Sequence, residues 1–146
     1  MSQKFKNVKC TVVIAAPPQK VFDAITVADQ LAGWWPPAAE TEPRPGGKVV
    51  LWWTKDTANP KPSNRSESTF SSFNPPHEVT YWAVTFTLES MGDKTKVTID
   101  DKECPADDGI ISAALTWGSL RLNLKSYVER GIDMRASSGF QGCWGE

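Results

Sequence analysis

The chain has a single histidine, His77, so any Ser-His-Asp or Cys-His nucleophilic arrangement has to use it. His77 follows Pro75-Pro76 at the entrance of a strand-like stretch. Cysteine is also scarce. Cys10, Cys104 and Cys143 are odd in number, far apart and without a CxxC pair, so neither a disulfide framework nor a zinc or other transition-metal site is indicated. That usage fits a reducing cytoplasm. No window reaches the roughly 18 apolar residues of a membrane span, and the N-terminal MSQKFKNVKC lacks the apolar segment of a secretion signal. A cytoplasmic, unprocessed protein that does not engage membranes is expected. Charge of one sign is missing too: 16 Lys and Arg balance 17 Asp and Glu along the chain, for a formal net charge of −1. No field therefore favours nucleic acid or an anionic surface. There is no internal repeat, low-complexity tract or linker, and 146 residues suffice for one domain with one core.

Tryptophan, by contrast, is plentiful. Seven residues of this type supply rigid apolar area suited to a core, an interface or the wall of a pocket.

The strongest pattern is Ile110 to Arg130. At about 100° per residue, Ala113, Trp117, Leu120, Leu124 and Tyr127 form one stripe of an amphipathic helix, with Ile110 and Val128 on its flank. Gly131 ends it. Ile111, Leu115 and Leu122 fall nearly opposite, so a second contact is expected at the back of the helix, from the C-terminal tail or a second subunit.

Before this helix, Val8, Cys10, Val12 and Ile14 alternate as a half-buried first strand. Pro17-Pro18 then opens a short helix with Val21, Phe22 and Ile25 at helical spacing. Asp29 can cap a second short helix through Leu31 and Trp34, which Pro36-Pro37 stops. From Thr41 to residue 103 the pattern is β. After the Gly46-Gly47 turn, Lys48 to Thr54 sets Val49, Leu51 and Trp53 on one face against Val50 and Trp52 on the other. Ser66 to Phe73 is a polar strand with Ser68, Phe70 and Ser72 on one face and Thr69, Ser71 and Phe73 on the other, and the inward set brings hydroxyls into an apolar interior. Residues 79 to 90 alternate without a visible turn and predict one long or bulged strand, with Trp82, Val84, Phe86 and Leu88 facing the helix. Met91-Gly92-Asp93 turns into Thr95, Val97 and Ile99, and Asp100 to Gly109 reads as a solvated acidic loop without the ligand order of a calcium site.

Strand, two short helices, antiparallel sheet and closing helix is the order of an α+β helix-grip fold, a curved sheet wrapped around a long C-terminal helix. The blocks AAPPQKVFDAIT, LAGWW, PRPGGKV, NPPHEVTYW, DKTKVTI and WGSLRLNLKSYVERG make the resemblance more specific. Over roughly residues 8 to 131 the sequence resembles the START-like SRPBCC superfamily, in the branch of homologues of the activator of heat-shock protein 90 ATPase. The resemblance implies one domain over residues 1–131, with 132–146 as a tail that matches nothing in the family. It also implies a cavity between sheet and helix, with Trp34, Trp35, Trp52, Phe70, Trp82, Phe86, Trp117, Leu120 and Leu124 around it or at its mouth. One departure is expected: the hairpin loop that other members carry after the Pro-Pro strand is replaced here by Trp82-Ala83 running straight into Val84.

Three functions follow from this reading. The first is binding of an apolar or aromatic small molecule in that cavity, with no catalytic residue, metal or cofactor assigned. The second is a protein-interaction module of the chaperone-activator kind, with a homodimer among its options, acting through exposed tryptophan. The third is a cyclase- or dehydratase-type enzyme using a charged pocket residue. For the third, inward orientation of Arg44, Arg65 or Glu67 is the feature to look for.

Overall fold

The computed structural model describes residues 5–58, 64–105 and 108–136. Strand β1, Phe5–Ile14, leads through Pro17 into helix α1, Pro18–Thr26, whose proline occupies the first turn, where no N–H is needed. The buried face of α1 is Val21, Phe22, Ala24 and Ile25. Helix α2 is only Ala28–Leu31; Asp29 sits inside its first turn, and Val27 holds the capping position without a side-chain bond. Trp34 and Trp35 lie in the turn after it, both donating backbone N–H to the Leu31 carbonyl.

The sheet continues as β2 (Ala38–Thr41), β3 (Lys48–Trp52), β4 (Arg65–Asn74), β5 (Glu78–Tyr81), β6 (Val84–Met91) and β7 (Lys94–Pro105), before helix α3, Asp108–Arg130, and a 3-10 turn at Met134–Ala136. All pairings are antiparallel, in the order β1-β7-β6-β5-β4-β3-β2. The curved sheet wraps α3, which gives the helix-grip architecture. Trp117, Leu120, Leu124 and Val128 of α3 are buried together with Val12, Ile14, Phe86, Val97 and Ile99 from the concave face. Gly131, at φ +68°, ends the helix and donates its N–H to the Tyr127 carbonyl.

Three expectations need correction. Residues 79 to 90 are not one strand: β5 and β6 form a hairpin closed by Trp82-Ala83, with Tyr81 opposite Val84. Alternation misled because a two-residue loop returns the chain on the same face, so Val79 and Tyr81 point inward before the turn and Val84, Phe86 and Leu88 after it. Trp82 is therefore a turn residue, and the buried ring is Tyr81. Second, the acids Asp100 and Asp101 are in β7, paired with Lys9 and Val8 of β1, so the expected loop is strand as far as Pro105. Third, β4 carries a register shift between Phe70 and Ser72, and this bulge brings Phe73 against Phe70, with ring centroids 5.2 Å apart, and against Phe22, at 5.3 Å.

On the outer side of α3, Leu115 is 61% and Leu122 46% exposed. Of the tail expected to cover them, residues 137–146 lie outside the described residues. No helix among the described residues is long and apolar enough to cross a membrane.

Candidate functional site

At one end of the sheet and helix layers the core opens into a groove of about 320 Å³. Each wall comes from a different element. Trp35 enters from the turn after α2, Leu51 and Trp53 from β3 and the residue just past it, Ser66 from β4, Trp82, Ala83 and Val84 from the β5–β6 hairpin, Asp101 from β7 and Trp117 from α3. Four indoles thus converge. Trp35 is the hub, with ring centroids 5.1 Å from Trp117, 6.3 Å from Trp53 and 6.2 Å from Tyr81. Such tilted pairs each contribute about 0.5–1.5 kcal/mol beyond area burial. Beneath them Tyr81 is fully buried, donates its hydroxyl to the Ile25 carbonyl at 3.1 Å, and has its phenol pKa pushed up by burial.

Polar groups in the groove are few and fixed. Trp117 donates its indole N–H to Asp101 Oδ2 at 2.9 Å, and Trp53 donates its own to Ser66 Oγ at 3.0 Å. Just outside, Ser68 Oγ accepts the backbone N–H of Trp82 at 3.0 Å. Of the two faces of this strand, it is that of Ser66 and Ser68 that brings hydroxyls to the groove, whereas past the bulge Ser72 bonds to Glu78 at 2.8 Å. Asp101 is the one ionisable side chain among the described lining residues. Its acidic neighbours Asp100 and Glu103 give the stretch the look of a solvated loop; the signal in the sequence is strand parity with Val97 and Ile99, which places it on the concave face.

Trp82 has φ +52° in the hairpin turn and is 38% exposed. A side chain with a Cβ costs about 1–2 kcal/mol there, where Asn or Gly would sit with less strain. Trp53 is 43% exposed at the opposite wall.

A clasp at the end of the described chain holds the Trp34-Trp35 turn against α3. Arg135 donates to the carbonyls of Ala32 at 2.7 Å, Trp35, and Pro36 at 3.2 Å, and pairs with Asp133 at 2.8 Å. Asn123, fully buried on α3, donates to the Trp34 carbonyl at 2.9 Å and to Asp133 at 3.0 Å, while its oxygen accepts the Met134 N–H at 2.7 Å. Burial works to raise the pKa of Asp133, but hydrogen bonds from Arg135 and Asn123 outweigh it and hold the carboxyl below its usual range. Gly33 allows the close approach, since a Cβ there would lie 2.5 Å from Tyr127 Cε1.

Of the residues expected around a cavity, Trp35, Trp82 and Trp117 border this groove. Trp34 is fully buried beside it, its indole N–H donated to the Ala24 carbonyl at 2.8 Å. Phe70, Phe86, Leu120 and Leu124 are fully or almost fully buried in the core and do not border the groove. Trp52 lies on the opposite face of β3, bonded to Glu40 at 2.9 Å with the Arg65 guanidinium 5.3 Å from its ring, and it is the neighbouring Trp53 that lines the groove. Arg65 pairs with Glu67 and Arg44 with Glu42, so none of these charges enters the groove. His77 is an exposed turn residue. Among the described residues no three His, Cys, Asp or Glu side chains converge as a metal site.

A sequence profile of the family described as "Activator of Hsp90 ATPase homolog 1-like protein" matches residues 15–129. No curated protein matches the chain. Among solved structures, a protein from Staphylococcus saprophyticus is 17% identical and superposes with a TM-score of 0.76, over 90% of this chain and 97% of that one. The Aha1 dimer from Colwellia psychrerythraea is 19% identical with a TM-score of 0.69, over 86% and 97%. CalU16 from Micromonospora echinospora is 17% identical with a TM-score of 0.64, over 97% and 87%. At such identities the likeness is one of fold.

Proposed function

The chain belongs to the family of Activator of Hsp90 ATPase homolog 1-like proteins, and from that premise we propose that it is a binding module whose groove takes an aromatic or apolar small molecule. The observation that carries this reading is Trp82. A tryptophan held at positive φ in a two-residue turn adds strain while 38% of it stays exposed at the groove mouth, a placement that a ligand covering the ring accounts for. The volume of about 320 Å³ is at the small end for ligand sites and suits one or two fused rings. Acid/base catalysis is less well supported, because Asp101 has no second ionisable side chain beside it among the described lining residues.

The test is titration of 2-phenylethanol and larger neutral aromatics, followed through tryptophan fluorescence, with wild type and Trp82→Gly. Wild type binds with saturation and Trp82→Gly binds at least about tenfold more weakly, the loss of one aromatic wall plus part of its buried area. Equal binding by the two proteins refutes the reading.

A second role, self-association, is favoured by the exposed Leu115 and Leu122 on the outer side of α3, a face separate from the groove. The Aha1 of Colwellia psychrerythraea is a dimer. Sedimentation of the wild type against Leu115→Lys with Leu122→Lys tests this: a dimer that becomes monomeric supports it, and a wild-type monomer excludes it.

A further inference from the structure

Resting on that reading of the groove, we propose that its ligand is longer than the groove and carries two linked aromatic rings. The first lies among Trp35, Trp82 and Trp117, and the second enters the adjoining recess of about 300 Å³ bordered by Trp35, Pro37, Trp53 and Arg135. The two hollows are similar in size and share two walls, the rings of Trp35 and Trp53, whose centroids lie 6.3 Å apart. Trp53 donates its indole N–H to Ser66, so its ring is held in one position with 43% of the residue exposed. A ligand that stops in the groove leaves the part of each shared ring that borders the recess in water. One that continues past the pair covers both parts. Groove and recess together reach the middle of the size range of small-molecule sites, whereas either alone lies at its lower end.

The chemistry of the recess sets that of the second ring. Arg135 is the one ionisable side chain among its described lining residues, and each of its guanidinium nitrogens already donates. Nε donates to Asp133, Nη1 to the Trp35 and Pro36 carbonyls, and Nη2 to the Ala32 carbonyl and Asp133, which accounts for every N–H of the group. No guanidinium donor is left for a carboxylate, and the charge is compensated by Asp133. The other described walls are two indoles and a proline ring, so an unsubstituted ring fits. Past Pro37 and Arg135 the next hollow is bordered by Lys55 and Asp133, whose charged groups an apolar body would strip of water. The apolar part of the ligand therefore ends with the second ring.

Two alcohols test this: 2-phenylethanol and 2-(4-benzylphenyl)ethanol, whose methylene hinge lets the second ring turn into the recess. They are titrated calorimetrically into wild type and Pro37→Phe, which fills the recess from a position that does not border the groove. In wild type the two-ring alcohol binds roughly 10- to 100-fold tighter than 2-phenylethanol, the effect of burying one more ring. In Pro37→Phe it falls to the level of 2-phenylethanol, which itself binds as in wild type. Two rings that bind no tighter than one in wild type overturn the extension and leave the groove reading standing, because 2-phenylethanol still binds. A gain that survives in Pro37→Phe comes from a second ring outside the recess and overturns the proposal. Binding of neither alcohol overturns both readings. Should Pro37→Phe melt far below wild type, the Arg135 Nε–H resonance of the wild type decides. It shifts with the two-ring alcohol and stays in place with 2-phenylethanol, and any other response overturns the proposal.

Discussion

Replacing Arg135 by alanine removes the one side chain that ties the carbonyls of Ala32, Trp35 and Pro36 to the end of α3. A hydrogen bond to a charged group contributes roughly 1.5–3 kcal/mol, whereas an exposed ion pair contributes about 0.2–1 kcal/mol. Arg135 lies between those cases. Its side chain is 21% exposed, its three carbonyl acceptors share one guanidinium, and they regain water when it is gone. The expected loss is about 2–3 kcal/mol, large against a total stability of about 5–15 kcal/mol. With a urea slope of about 1–3 kcal/mol/M, the midpoint should fall by roughly 1–2 M with the slope unchanged. Arg135→Lys keeps a charge for Asp133 but has no planar fork, so it should recover less than half of that loss. Because the clasp also fixes Trp35, binding of 2-phenylethanol should weaken in the alanine variant even where the protein is fully folded. A midpoint shift below about 0.25 M for Arg135→Ala would place the clasp among ordinary surface pairs and refute the reasoning.

Leu124 has no exposed surface and does not border the groove, so Leu124→Ala should cost about 2–5 kcal/mol, and Leu124→Trp should overpack at a cost of about 1–3 kcal/mol, with groove affinity unchanged in both. Chemical denaturation beside the phenylethanol titration checks this, and a Leu124→Trp variant that folds well but binds nothing would mean that the ligand reaches the helix interior. Asp133 is held below the usual carboxylate range, so its contribution is fully present above the ordinary value of about 3.9 and is lost as pH falls through the folded-state value. The stability gap between wild type and Asp133→Asn in urea should therefore be constant near neutrality and close in acid; a gap unchanged to about pH 2.5 contradicts this.

What the sequence made legible was what is local. The stripe of Trp117, Leu120 and Leu124 marked α3 because helical period is a property of neighbouring residues, and the alternation in β3 correctly put Leu51 and Trp53 on one face. Which face is concave depends on strands far away in the chain, so the sequence alone does not separate Trp52 from Trp53 as the groove residue. The β5–β6 hairpin had a visible trace: inward positions switch from odd at Val79 and Tyr81 to even at Val84 and Phe86, as a two-residue loop requires. Asp101 reads as a loop acid until Val8 of β1 pairs with it, and those two residues are far apart in the chain. Arg135 had no trace at all, because a guanidinium fork aimed at backbone carbonyls about a hundred positions earlier depends on no side-chain pattern.

The claim that a ligand lies among the four indoles is tested most directly by indole N–H resonances in a proton–nitrogen NMR spectrum recorded while 2-phenylethanol is added. Each of the seven tryptophans reports separately once assigned by single substitution. The account predicts saturable shifts at Trp35, Trp53, Trp82 and Trp117, with Trp34 held by Ala24 and Trp52 on the far face of the sheet staying in place. Shifts centred on Trp52, or none at the groove indoles up to the solubility limit of the probe, would contradict it.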